Sequence, residues 1–129
     1  MEDLKPYHIE ILHRMDILNY KVAGFIKTEY EFFQYIRDVN EIIKQSDNNK
    51  VLADCKKLEG FRPGVVGAIR VVDEAFSPEM RCKKIAVIER EENYENLKHR
   101  EIVAYNRGYT LKYFTDRPDA EAWLAESVV

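Results

Sequence analysis

The sequence predicts an α/β fold, a mixed and mainly parallel sheet with an N-terminal β-hairpin and about four flanking helices. Three observations lead there. Two short β-prone segments near the start are separated by a gap of hairpin length. After them, the apolar spacing alternates between helical and strand periods. Later, Lys84-Ile-Ala-Val-Ile88 holds four consecutive apolar residues bounded by charge, the pattern of a strand covered on both faces. Such alternation calls for parallel strands joined by helices, with the hairpin supplying an antiparallel edge.

The hairpin strands are His8 to His13 and Ile17 to Val22, around Arg14-Met-Asp16. Leu18, Tyr20 and Val22 fall on one face of the second, and Gly24 allows a bend after it. Thr28-Glu-Tyr-Glu31 is a capping box, in which the threonine hydroxyl and the Glu31 carboxylate can each take a free backbone N–H. Beyond it, Phe32, Ile36, Val39 and Ile43 recur at helical spacing, and Ser46-Asp-Asn-Asn49 ends the helix. Val51 to Cys55 is the next strand. Gly60 and Pro63-Gly64 lead to a second helix with Val65, Ile69, Val72 and Phe76 as its apolar stripe, ended by Ser77-Pro78. A third helix is expected over Tyr94 to Asn106, stopped by Gly108 as a left-handed cap. Thr110 to Phe114 is the last strand, and Thr115-Asp-Arg-Pro118 opens a final helix that buries Ala120, Trp123 and Leu124.

Composition narrows the function. The 129 residues are expected to form a single domain, 1–129, with 46% hydrophobic and 33% charged residues. A net charge of −3 argues against a nucleic-acid binder. No apolar run is long enough for a membrane span, and Met1-Glu-Asp-Leu-Lys-Pro6 lacks the apolar core of a secretory signal. Two cysteines, Cys55 and Cys82, are too few for a disulfide framework or a zinc site. The expectation is a cytoplasmic protein with reduced thiols.

Four stretches resemble the STAS-domain family, the fold of the bacterial anti-sigma-factor antagonists, and in particular its small stand-alone bacterial members. Gly24-Phe-Ile-Lys-Thr-Glu29 resembles the entry to the capped first helix, and Val51-Leu-Ala-Asp54 the central strand ending in aspartate. Lys84 to Ile88 resembles the next buried strand. The most specific stretch, Arg107 to Leu124, resembles the family's strand through Phe-Thr-Asp into a helix with Ala and Trp-Leu. The resemblance implies a STAS-like (SpoIIAA-like) fold, which carries switches, transporter tails and ligand carriers alike. In switching antagonists a phosphorylatable serine opens the second helix. Asp54 to Gly64 contains no Ser or Thr here, so that switch has no acceptor.

Candidate sites gather at the same junction. Asp54 is expected at a strand end, where α/β sheets bind ligands, or else accepting backbone N–H groups in the following turn. Cys55 reads as buried and structural. Arg62, beside the exposed N–H groups of Gly64, Val65 and Val66, could hold an anion at the helix start. His8, His13 and His99 match no metal spacing, and Glu89 to Glu92 reads as a charged loop. No catalytic constellation and no cofactor motif is present. The aromatics Tyr30, Phe32, Phe33, Tyr35, Phe61 and Phe76 either fill a core or line a cavity. The expected function is a non-catalytic, protein-binding regulatory module. It would use Asp54, Phe61, Arg62, Gly64 and Val65 toward a protein partner or a second copy (a homodimer). The alternative is a carrier of a small apolar or lipid-like ligand.

Overall fold

The computed structural model describes residues 5–13 and 16–126, with the side chains of His13, Glu95 and Asn96 left aside. The expected hairpin turn at Arg14 and Met15, and the first four residues, lie outside the described residues. Five strands form one sheet in sequence order: β1 (Tyr7–His13), β2 (Ile17–Ile26), β3 (Lys50–Gly60), β4 (Lys84–Ile88) and β5 (Thr110–Phe114). β1 and β2 pair antiparallel, and the other neighbours are parallel. The helices are α1 (Glu29–Lys44), α2 (Val65–Arg70), α3 (Glu91–Asn106) and α4 (Arg117–Ala125). The mixed, mainly parallel α/β sheet expected from the periodicities is the one observed.

Strand order decides which face each helix covers. Right-handed crossovers that always step the same way across a sheet leave their helices on one side. Accordingly α1, α2 and α3 lie over one face, where Tyr20, Val22, Phe32, Tyr35, Val39, Val51, Val71 and Ala104 belong to a single buried cluster. α4 follows β5 and packs against the opposite face, where Leu52, Ala86, Ile88, Ala120 and Leu124 form a second, smaller cluster. β4 is therefore covered on both faces, as its unbroken apolar run predicts.

The capping box forms with one change. Thr28 Oγ1 accepts from the Glu31 N–H at 3.1 Å, while the Glu31 carboxylate accepts from Lys27 N–H at 2.7 Å instead of from Thr28 itself. Gly108, with φ +88°, follows the α3 C-terminus, and the Tyr109 N–H reaches back to Ala104 O at 3.0 Å. That six-to-one bond is the Schellman cap the glycine predicts.

Three expectations are corrected. Gly24 does not end the strand, because β2 runs on to Ile26 and pairs with β3 from Ala23 to Ile26. β3 does not end near Asp54. It leaves β4 there but continues along β2 through Lys56–Gly60, after a register shift between Lys21 and Ala23. The chain finally turns at Gly60, whose φ of +101° brings it against Ile26 O, so a Cβ there would lie 2.1 Å from that oxygen. The second helix also departs from its expected stripe. α2 passes at Val71–Ala75 into a π-helical turn, followed by a 3-10 turn over Pro78–Cys82. The wider turn rotates the buried face onto Ala68, Val71, Val72 and Ala75, and leaves Val65 and Ile69 toward solvent. α3 begins at Glu91, one turn before the expected Tyr94.

Candidate functional site

Strand parity separates the residues expected to act together. Side chains alternate across a sheet, so Asp54 and Cys55 point to opposite faces. Asp54 faces the α4 side, where its carboxylate takes the Lys56 N–H at 3.2 Å and pairs with Arg117 at 3.5 Å. It accepts a backbone N–H, as its turn reading has it, but from within a continuing strand. Phe61, Arg62, Gly64 and Val65 belong to the connection and helix on the other side. Phe61 packs edge-on against Phe32 with centroids 6.3 Å apart. Gly64 is the extended residue preceding α2, and Val65 is exposed.

Arg62 turns inward, away from the helix start. Its Nε donates to Glu89 Oε2 at 3.0 Å, Nη1 to Phe61 O at 3.2 Å, and Nη2 to Leu58 O at 2.5 Å. Glu89, expected in a charged loop, is only 3% exposed. It sits one residue beyond β4, on the same parity as Val87, and so enters the core beside the α1–α3 layer. The pair fixes the connection into α2. Removing one partner of such a buried pair strands the other charge, at a cost of roughly 3–5 kcal/mol.

Around this pair the fold assembles a polar cluster that no sequence motif announced. Tyr20 from β2 and Tyr35 from α1 place their hydroxyls 3.0 Å apart, and Tyr35 Oη lies 3.4 Å from Cys55 Sγ. Arg100 of α3 donates from Nη1 to Tyr113 Oη of β5 at 3.0 Å. Its guanidinium also lies 5.2 Å from the Phe32 ring centroid and 5.6 Å from that of Tyr113. Arg100 is 4% exposed, yet its Nε and Nη2 have no hydrogen-bond partner.

All seven polar side chains line one cavity of about 50 Å³, whose remaining wall includes Phe32, Ile36, Val39, Val71 and Phe76. It lies between the sheet and the helix layer, bordered by residues of β2, β3, β4 and β5. The reading of the aromatics as core or cavity lining resolves into both: Phe32 is core and lines the cavity, while Tyr30 is exposed. Burial, reinforced by the Glu89 carboxylate, pushes the Cys55 thiol from an ordinary 9.0 up to about 12. Burial likewise raises Tyr113 to about 12 against the opposing pull of Arg100, and raises Tyr20 and Tyr35 well above the usual phenol range. At neutral pH these groups all keep their protons.

Two signals in the sequence could have found the cluster. Glu89 follows Lys84 to Ile88 in strand parity, and Arg100 falls between Leu97 and Ala104 on the buried stripe of α3. His8 is exposed on β1 and His99 is half-buried on α3. Among the described residues, no group of three His, Cys, Asp or Glu side chains is placed to hold a metal ion. No helix among them is long and apolar enough to cross a membrane.

This sheet order, with three helices on one face and a closing helix on the other, is a STAS-like (SpoIIAA-like) fold. Two solved structures carry the likeness. An anti-sigma factor antagonist from Mycobacterium paratuberculosis superposes with a TM-score of 0.55 and 12% identity, covering 98% of this chain and 100% of that one. An uncharacterized protein with a SpoIIAA-like fold from Shewanella loihica PV-4 gives a TM-score of 0.51 and 18% identity, covering 97% and 98%. At such identities the likeness is one of fold. No family model and no curated protein matches the chain.

Proposed function

We propose that this protein is a non-catalytic interaction module that binds a protein partner through the exposed side of α2. The observation that carries this reading is the surface of that helix. Val65, Val66 and Ile69 are 57%, 71% and 36% exposed, three branched aliphatics on six residues with no described element over them. Single exposed apolar residues are ordinary, but a cluster on one short helix is the composition of an interface centre. A regulatory role is in keeping with the antagonist that shares the fold. The phosphorylation switch is not carried over, because no Ser, Thr or Tyr occurs from Asp47 to Phe76. Any control of α2 would come from what occupies its surface.

The alternative, a carrier of a lipid-like ligand, has less support. A cavity of about 50 Å³ is far below the roughly 300 Å³ at which ligand pockets usually begin. The test is a double substitution, Val65→Asp with Val66→Asp, compared with the unmodified protein by affinity capture and by light scattering. The expected result is loss of one specific partner, or of self-association, with unfolding free energy changed by less than about 0.5 kcal/mol because both sites are exposed. Unchanged association would end the α2 reading. A lipid mass retained in native mass spectrometry would favour the carrier.

A further inference from the structure

We propose that the core cavity is a binding site for a short-chain monocarboxylate, of acetate to propionate size, whose carboxylate takes the free Nε and Nη2 donors of Arg100. The inference is independent of the α2 surface and rests on charge, geometry and volume.

The charge around the cavity does not balance. Arg62 and Glu89 neutralise one another, with both Glu89 oxygens facing Arg62 nitrogens. Tyr20, Tyr35, Cys55 and Tyr113 are held protonated by burial and contribute no negative charge at neutral pH. Arg100 makes no ion pair among the described residues, which leaves one surplus positive charge at the wall. Contacts with two aromatic faces ease that charge but use none of its N–H donors. The occupant that completes the site is a monoanion.

The geometry selects the kind of anion. Nη1 is engaged by Tyr113, and the two orphaned nitrogens, Nε and Nη2, share the remaining edge of the guanidinium. Two parallel donors on one edge match the two oxygens of a carboxylate. The same cavity wall holds Ile36, Val39 and Val71, which offer an alkyl group contact but no donors to the further oxygens of phosphate or sulfate. Volume sets the length. About 50 Å³ is the space of roughly three to five waters, enough for a few heavy atoms and not for a fatty chain. The π-helical turn that contributes Val71 borders the same cavity, and such turns are frequent at functional sites.

The test titrates the full chain, dialysed free of carboxylates, with acetate labelled with carbon-13 at constant ionic strength. Arginine Nε–H signals and thermal unfolding are followed, with propionate, octanoate and chloride as the other arms. The expected result is a saturable shift of one arginine Nε–H signal and magnetisation transfer from the acetate methyl to Phe32 and Val39. At ten times the dissociation constant, the folded-to-unfolded ratio should rise roughly tenfold. Propionate should act alike, while octanoate and chloride should not. Arg100→Met should remain folded and lose the response; if it does not fold, the unmodified protein's Nε–H signal and methyl transfer decide alone. Equal effects of chloride and acetate would mean a nonspecific ion effect and overturn the proposal. Tighter octanoate binding would mean a lipid headgroup site and overturn it too, as would an undiminished response of Arg100→Met.

Discussion

The two faces of the sheet each bury a cation, and they treat it differently. On the α4 face Lys84 extends under the end of α4, where its ammonium donates to Trp123 O, to Glu126 O at 3.2 Å, and lies 4.5 Å from the Trp123 ring centroid. Both carbonyls lie at the helix end, where Trp123 O also accepts the Glu126 N–H at 3.2 Å, and a cation there meets the negative end of the helix dipole. On the other face Arg100 has one hydrogen bond, two aromatic neighbours and two nitrogens with nothing to donate to. A cavity of about 50 Å³ lies beside it. A buried charge held by two carbonyls and an aromatic face is a fastening. One left half-engaged beside a cavity is a site, because buried polar groups are otherwise almost always satisfied.

The largest test of this contrast concerns the ion pair that supports the cavity. Glu89→Gln should lower the unfolding free energy by roughly 3–5 kcal/mol, measured by urea denaturation, since Arg62 would be left buried and unpaired. Replacing both partners together, Arg62→Met with Glu89→Leu, should recover most of that loss. A double variant as unstable as the single one would show that the bonds of Arg62 to Leu58 and Phe61 matter more than its charge.

Next in size is the direct comparison of the two cations. Lys84→Met should cost roughly 1.5–3 kcal/mol, because it removes a charged donor that bonds two carbonyls at the end of α4. Arg100→Met should cost less or stabilise, because it removes an uncompensated charge and one bond. Equal losses would erase the distinction between the two faces.

A separate test is in alkali. Cys55 and Tyr113 have folded values raised to about 12, above their unfolded ones, so the folded state holds more protons at high pH. Their contribution is fully present below pH 9 and is lost as pH rises from there toward 12. Urea midpoints measured at intervals across that range should fall, and Cys55→Ala should flatten the decline. A constant midpoint would place these groups in water.

Local signals carried most of the fold. The Thr28 cap, the apolar run of β4, the glycine cap at Gly108 and the strand Thr110 to Phe114 are written in neighbouring residues, and all form, the Glu31 half of the capping box shifting to the Lys27 N–H. The far half of β3 is not written that way. Lys56-Lys-Leu-Glu-Gly60 has no clear alternation, and becomes a strand because β2 is long enough to pair with it beyond the register shift at Lys21 and Ala23. Two residues expected to act together are separated for a related reason. Asp54 and Arg62 are close in sequence, but strand parity sends Asp54 to Arg117 on the α4 side while Arg62 folds back to Glu89.

The sequence by itself determined the order of elements, the mixed and mainly parallel sheet, and the absence of a hydroxyl acceptor before α2. Each depends on periodicity, caps and residue identity within a few positions. Only the tertiary structure decided which polar side chains share an interior. Tyr20, Tyr35, Cys55, Arg62, Glu89, Arg100 and Tyr113 come from seven separate segments. They meet because same-handed crossovers stack three helices over one face, so the half-satisfied Arg100 exists only once that layer has closed.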